Sequence, residues 1–270
     1  MKILLRDKSL LDGTPIVGVL SGGNGDGPST NEKTGPMVQL WILPDFSDPL
    51  TLALNSTGGI CPGSCPMTAV DPDTGRQTSR CYVDARVWRG MAKRSVGLAV
   101  DDMETIDRYV SGRAVRLGAF GDPAACDPFL LYRLLEKADS HTGYTHAWAS
   151  PLPWLEESSD REIQREGRKI LRHLCMASVE SLADAELAQS MGYRTFRITP
   201  PGVETAEQGE VVCPAITHGT QCANCSLCSG DRRPDGYKAE PDQPMQAVPS
   251  ITVPAHGGAV AIKIAAKAVS

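Results

Sequence analysis

The chain has 270 residues, of which 27 are Lys or Arg and 32 are Asp or Glu, so its formal net charge is −5. This length is enough for one large α/β domain, which buries about three quarters of the unfolded chain's surface without needing disulfides. The acidic balance argues against binding nucleic acid by counterion release, and no apolar run approaches the roughly 20 residues that span a bilayer. The start, MKILLRDKSLLDG, is too short and too charged for a signal peptide, so we expect a cytoplasmic protein.

The predicted elements begin after a polar stretch. Residues 1–35 are rich in Gly and polar side chains, as in SGGNGDGPSTNEKTG, and predict a loop region that leads into an apolar run, PMVQLWIL. Further along, β-rich runs alternate with helical patterns, and helix starts are indicated by Asp127-Pro128 and by Ser181 with Asp184. The predicted strands cover residues 114–120, 144–150, 173–179, 193–199 and 250–257.

This alternation is typical of parallel strands joined by helices. It predicts an α/β fold in a single domain over residues 1–270. With about six such strands, a partial or complete (β/α) barrel is favoured over an open sheet. Residues 203–230 are predicted to form a C-terminal Cys-rich insert, and the polar, Pro-rich residues 231–249 a linker loop.

The carboxyl ends of the predicted strands carry polar side chains. In parallel α/β architectures the ligand binds at these ends. Each such residue, taken singly, is equally well explained as a cap or a satisfied core group, but together they favour a binding site. The candidates are Asp122, His146, Ser178, Arg197 and His256.

Nine cysteines carry most of the chemical information. Without a secretory signal the compartment is expected to be reducing, where clustered cysteines hold metal more often than they form disulfides. Cys126 and Cys175 stand alone and are predicted to be buried apolar thiols. The other seven fall into two groups: Cys61, Cys65 and Cys81, called here the N-terminal cysteine group, and Cys213, Cys222, Cys225 and Cys228, called the C-terminal cysteine group.

The C-terminal cysteine group has three thiols within seven residues, spaced by two residues each, with Cys213 upstream. Such a run with one remote cysteine is typical of a 4Fe–4S cluster. Structural zinc more commonly takes two ligands from each of two separate turns. The pattern therefore favours iron–sulfur over zinc, with zinc kept as the alternative.

The N-terminal cysteine group has spacings of three and fifteen residues and no fourth cysteine nearby. Three ligands leave one metal position open, where a substrate or cofactor can bind. A zinc site completed by a His, or a site completed by a thiolate from elsewhere in the chain, fits the same spacing.

The order of these parts resembles the radical S-adenosylmethionine (SAM) superfamily: an apolar strand, a cysteine loop, a helix and a strand ending in Gly121-Asp122-Pro123. The resemblance implies a radical-SAM-like partial (β/α) barrel with a 4Fe–4S cluster on the N-terminal cysteine group, whose open iron binds the amino acid part of SAM. It also implies that Asp122 contacts the SAM amino group, as the Glu of the superfamily's Gly-Gly-Glu-Pro motif does. The chain departs from the superfamily in having fifteen residues, where two are expected, before the third cysteine.

A second resemblance is to Cys-rich phage proteins of the gene product 88-like group, and it covers about residues 31–257. It implies a phage or prophage origin, a location in the cytoplasm of an infected or lysogenic bacterial host, and iron–sulfur content, but no reaction. The matching segments are Lys33-Thr34-Gly35 with Gln39 and Trp41, Cys81-Tyr82-Val83, Arg116-Leu117-Gly118, Gly143-Tyr144-Thr145-His146, Ala177-Ser178-Val179, Arg194-Thr195-Phe196-Arg197, Cys213-Pro214-Ala215, the Cys222 to Cys228 run and Ala255-His256-Gly257.

The sequence thus supports one leading hypothesis and two alternatives. The leading hypothesis is an iron–sulfur protein with one or two clusters, performing one-electron chemistry on a small-molecule substrate or with a redox partner. The alternatives are a zinc-stapled binding module without catalysis and a non-catalytic iron–sulfur carrier or sensor.

Overall fold

A computed structural model describes residues 1–48, 59–65, 85–150, 152, 160–230 and 249–254. The strands are β1 Lys2–Lys8, β2 Pro15–Ser21, β3 Val38–Pro44, β4 Ala114–Phe120, β5 Ser140–Thr142, β6 Tyr144–Thr145, β7 Met176–Val179, β8 Thr195–Thr199, β9 Glu210–Val212 and β10 Ser250–Pro254. The helices are α1 Ala85–Ser95, α2 Met103–Val110, α3 Pro128–Leu135, α4 Arg161–Leu174, α5 Leu182–Ser190, α6 Pro214–Thr217 and α7 Cys222–Cys225, with a 3-10 turn at Pro123–Ala125.

The strands form two five-stranded sheets. The first has the order β1-β2-β3-β4-β5, in which β1, β2 and β3 pair antiparallel while β3, β4 and β5 pair parallel. The second has the order β6-β7-β8-β10-β9 and is parallel throughout. The α/β class predicted from the sequence is confirmed, and within the described ranges the strands do not close into a barrel.

The two sheets meet at Gly143, the single residue between β5 and β6. A Cβ atom at this position would lie 2.6 Å from the Leu174 carbonyl oxygen and 2.9 Å from Cys175 Sγ, so only Gly fits here. The parallel strands β3, β4 and β5 of the first sheet and β6, β7 and β8 of the second are neighbours in chain order, whereas β10 lies between β8 and β9. Their carboxyl ends lie along one edge, where α/β proteins bind ligands.

The main core lies between the first sheet and helices α1 to α4. Leu40 and Ile42 of β3 and Leu117 of β4 are fully buried, and Leu131 of α3 packs in the same cluster. A smaller cluster formed by Met176, Cys228 and Ile251 lies in the second sheet. No helix in the described part of the chain is long and apolar enough to cross a membrane.

Several sequence expectations are confirmed. β4 covers the predicted residues 114–120, Asp127 caps α3 through a 2.9 Å bond from the Phe129 N–H, and the Ser181 hydroxyl accepts from the Asp184 N–H at the start of α5. β7, β8 and β10 lie inside their predicted ranges.

Two expectations are wrong. Residues 1–35 are not a loop throughout, because β1 and β2 pair within them and bury their apolar side chains. The strand predicted for 144–150 is confined to Tyr144–Thr145, after which the chain bends. The linker loop expected at 231–249 lies almost wholly outside the described residues.

Candidate functional site

The C-terminal cysteine group lines one small cavity. Cys213 precedes α6, Cys222 and Cys225 lie in α7, and Cys228 follows it. All four residues line the cavity, together with Thr142 of β5. Ser226, with a left-handed φ of 51°, ends α7 and turns the chain back. These four cysteines are thiols and form no disulfide.

The N-terminal loop forms part of this site. The Cys222 N–H donates to the Lys33 carbonyl and the Ala223 N–H to the Thr34 carbonyl, both at 3.0 Å. The Gln221 amide donates to the Glu32 carbonyl at 3.1 Å. The first N–H groups of a helix have no partner within it, so the loop satisfies two donors that α7 leaves open.

Hydrogen bonds hold the backbone at Cys228 and on both sides of it. Its carbonyl accepts from the Gly143 N–H at 3.0 Å. The buried Arg194 guanidinium donates to the carbonyls of Leu227 at 2.9 Å and Ser229 at 2.6 Å, on either side of Cys228. A third bond from Arg194, to the Pro249 carbonyl at 2.6 Å, ties this segment to the start of β10.

Burial and mutual proximity suppress ionisation of these thiols. Burial raises the pKa of Cys213 and of Cys222, and the other cysteines of the group raise both further. Burial likewise raises the pKa of Cys228 to about 12, although a hydrogen bond from Tyr144 acts in the opposite direction. The thiols of Cys213, Cys222 and Cys228 are therefore protonated at neutral pH without metal, and metal binding to them would release protons.

The donor set of both cysteine groups is sulfur, which is what zinc and iron–sulfur clusters take from proteins. Among the described residues, which do not include Cys81, no three His, Cys, Asp or Glu side chains form a group that could hold a metal ion. The four residues of the C-terminal cysteine group line one cavity, but as placed in this structure their side chains do not form such a group.

The loop of the N-terminal cysteine group, residues 59–65, lies at the carboxyl ends of two strands. The Ile60 carbonyl accepts from the Asp122 N–H at 2.6 Å, just beyond β4. The Ser64 hydroxyl donates to the His146 carbonyl at 3.0 Å, just beyond β6. Both Cys61 and Cys65 are thereby placed at the ligand-binding edge of the sheet, while Cys81 lies outside the described residues.

Asp122 and His146 come together at this edge. The buried Asp122 carboxylate accepts from the N–H groups of Ala124 at 2.9 Å and His146 at 2.7 Å, so it joins the ends of β4 and β6. Burial raises the pKa of Asp122, with these hydrogen bonds opposing the rise.

The His146 side chain lies between two acidic groups. Its Nε2 is 3.0 Å from Glu180 Oε1, and the ring also donates to Cys65. Burial alone would lower the pKa of His146, but the hydrogen bonds to Cys65 and Glu180 outweigh it and raise the pKa to about 10.

The remaining predicted residues are less closely associated. Ser178 is buried, and its carbonyl accepts from the Trp148 indole at 3.1 Å. The Arg197 guanidinium forms two bonds to the Glu210 carboxylate, at 2.8 and 2.6 Å, joining β8 to the neighbourhood of β9. His256 lies outside the described residues.

Sequence reasoning assigned no site role to three contributors: Tyr144, Arg194 and the backbone of residues 32–34. Glu180 follows β7 directly and belongs to the polar strand end that begins with Ser178. The loop contacts join positions 189 residues apart, as for Gln221 and Glu32, and no local pattern reports them.

The fold and these contacts define an α/β protein in which Cys61 and Cys65 lie at the carboxyl ends of β4 and β6. The C-terminal cysteine group is held by residues that precede β3, β6, β8 and β10, at the amino ends of the parallel strands. No family model, curated protein or solved structure matches this chain. Its function is consequently inferred from its own geometry.

Proposed function

We propose that this protein binds iron–sulfur clusters and that the C-terminal cysteine group holds one of them. The observation that carries the proposal is that four cysteines, three of them in a run with two-residue spacing, line a single cavity. That spacing suits a cubane cluster better than a zinc knuckle. The segment that carries these cysteines donates to the Lys33 and Thr34 carbonyls and accepts from the Gly143 N–H and the Arg194 guanidinium.

The N-terminal cysteine group is the second cluster site in this proposal, with one iron position left for SAM. Support comes from the order of parts: the cysteine loop follows β3, the first of the parallel strands, and Gly121-Asp122-Pro123 follows β4, the second. Within each sheet the parallel strands from β3 to β8 are neighbours in chain order, which suits a radical-SAM-like partial barrel. When bound, such a cluster with SAM supplies one-electron chemistry.

The chain's own residues would then orient the bound molecules. A carboxylate offers about four acceptor positions, so Asp122 can hold two backbone N–H groups and the Thr145 hydroxyl and still accept from an ammonium group. The Gly121 position requires Gly, because its φ is +79° and a Cβ there would lie 2.5 Å from the Ile42 carbonyl oxygen. This close contact brings the Gly-Asp-Pro turn against β3, from which the cysteine loop departs.

Three single-cysteine variants test the two-cluster arrangement. We expect Cys225→Ala and Cys81→Ala each to lose about half of the iron and sulfide of the wild type, because each removes a ligand from one group. Cys175→Ala is the matched control, since Cys175 is buried and lies in neither group, and it should keep the full content. Loss of both clusters, or of neither, in the two test variants would contradict the assignment.

SAM binding distinguishes the enzyme from a carrier or sensor. Under anaerobic, reducing conditions we expect the wild type to cleave SAM and Cys81→Ala to have no such activity. Iron-loaded wild-type protein that neither binds nor cleaves SAM would instead be a non-catalytic iron–sulfur protein. Zinc without sulfide would indicate that both cysteine groups bind structural zinc in a non-catalytic binding module.

A further inference from the structure

A five-residue apolar segment after α1 is exposed along its whole length. Residues 96–100, VGLAV, are called here the apolar loop. Val96, Leu98 and Val100 are 47%, 42% and 48% exposed, and Gly97 and Ala99 between them are exposed as well. Single exposed apolar side chains are ordinary on protein surfaces, whereas a contiguous set is typical of a surface that another molecule covers.

The apolar loop is fixed to the edge of the first sheet, in which β1 is an outer strand. The Arg6 guanidinium donates to the Leu98 carbonyl at 3.1 Å and to the Ser95 carbonyl. Just after the loop, the Asp101 N–H donates to the Ile3 carbonyl at 2.9 Å, and the Asp101 carboxylate accepts from the Ile3 N–H at 2.7 Å. The loop thus runs antiparallel along β1 in a fixed conformation, so little ordering free energy opposes the binding of a partner there.

Opposite charges flank the apolar loop. Lys93 and Arg94 are exposed in the last turn of α1, before the loop, and Asp102 is exposed at the start of α2, after it. Two copies of a segment that pack about a twofold axis place the start of one copy opposite the end of the other. With the axis at Leu98, the basic end of each copy meets the acidic end of the other, on both sides of an apolar centre.

We propose that the apolar loop is a homodimer contact, on which a second copy of this chain packs its own apolar loop about a twofold axis near Leu98. Val96 of each copy then lies near Val100 of the other, and Arg94 near Asp102 of the other. The Asp102 carboxylate accepts two hydrogen bonds at the start of α2, and its remaining acceptor positions can accept from Arg94. The proposal does not depend on metal at the cysteine groups.

The test is sedimentation velocity of the full chain over a concentration series, with reductant present so that no disulfide joins two chains. We expect the wild type to dimerise and Leu98→Glu to raise the dimer dissociation constant at least about 100-fold, because two carboxylates would be buried at the axis. Leu187→Glu is the matched control. Leu187 is 52% exposed on α5, away from the apolar loop in the chain, and this change should leave the dissociation constant as it is.

Charge reversal tests the antiparallel arrangement. Arg94→Glu should raise the dissociation constant by about 10-fold or more, since it places a carboxylate opposite Asp102 of the second copy. An equimolar mixture of Arg94→Glu and Asp102→Arg chains should dimerise again, because each flanking contact then joins opposite charges. If Asp102→Arg fails to fold by circular dichroism, the comparison of Leu98→Glu with Leu187→Glu still decides.

Three results would overturn the proposal. They are a wild type that is monomeric up to about 100 μM, a dimer that Leu98→Glu leaves intact, and a dimer that Leu187→Glu weakens equally. A monomeric wild type that binds phosphatidylcholine vesicles, when Leu98→Glu does not, would show that the apolar loop contacts a lipid surface and not a second copy.

Discussion

Arg197, which its place at a predicted strand end made a candidate site residue, forms an ion pair that stabilises the fold. The side chains of Arg197 and Glu210 are only 9% and 3% exposed. The guanidinium donates two hydrogen bonds to the carboxylate, so the two groups form an ion pair. Burial would raise the pKa of Glu210, but the hydrogen bond from Arg197 lowers it below the ordinary value. The ion pair links β8 to β9 and so stabilises the fold.

We expect Arg197→Met to lower the free energy of unfolding by about 3 kcal/mol, because it leaves a buried carboxylate without its cation. The double variant Arg197→Met with Glu210→Leu should recover most of that loss, since no charge then remains buried. Urea denaturation of the three chains measures both effects. Equal stability of the wild type and Arg197→Met would show that the ion pair contributes nothing.

His141 gives a pH dependence whose sign follows from its burial. Burial lowers the pKa of His141 to about 4, against an ordinary value of 6.5, although the bond to the Leu174 carbonyl at 2.8 Å acts in the opposite direction. As the pH falls, His141 of the unfolded chain therefore takes up a proton near pH 6.5, whereas His141 of the native chain takes it up only near pH 4. Stability from this residue is complete above the unfolded value and is lost as the pH falls.

The free energy of unfolding should fall between about pH 6.5 and about pH 4 by up to roughly 1.4 kcal/mol per pH unit from this residue. His141→Gln should remove that part of the slope, whatever it does to stability at neutral pH. Denaturation curves of both chains across this range give the comparison. Identical slopes would mean that the pKa of His141 is the same in the native and unfolded chains, which contradicts the lowered pKa.

At the scale of elements, the joint between the two sheets is the most constrained point. We expect Gly143→Ala to lower the free energy of unfolding by about 1–3 kcal/mol, because its Cβ would overlap the Leu174 carbonyl and Cys175. Gly27→Ala is the control, since a Cβ there meets nothing within 4 Å, and it should change stability by less than about 0.5 kcal/mol. Thermal unfolding of both variants checks this, and a neutral Gly143→Ala would mean that the joint can relax.

The elements also show what sequence patterns can and cannot predict. β4, α3 and α5 follow from local signals: an alternating run, and caps at Asp127 and Ser181. β1 and β2 were missed because the polar Gly-rich stretch after them dominates residues 1–35, although IVGVL within β2 is a buried run. β6 is two residues long, too short for any periodicity to locate its end.

The candidate site, like the fold, could be predicted from the sequence only in part. Spacing groups the cysteines, and strand ends place Asp122 and His146 at one edge. The hydrogen bond from the Cys222 N–H to the Lys33 carbonyl depends on how distant parts of the chain pack. The same holds for the hydrogen bond from Arg194 to the Ser229 carbonyl. Such contacts have no local signal in a single sequence.

At the scale of the whole molecule, the C-terminal cysteine group is attached to the fold by hydrogen bonds and a small core, whereas β1 to β5 share the main core. We expect removal of bound metal to increase amide exchange most in residues 213–228, since binding energy and local folding are coupled there. The amides of β2 and β3 should change little. Uniform exchange throughout the chain after metal removal would contradict this division.

The most direct measurement is the iron, zinc and acid-labile sulfide content of the chain purified without oxygen, taken together with its visible absorption spectrum. We expect about eight iron atoms with matching sulfide for two cubane clusters, or about four if one cysteine group alone is loaded. Zinc without sulfide, or a colourless chain with neither metal, would contradict the iron–sulfur assignment of the cysteine groups.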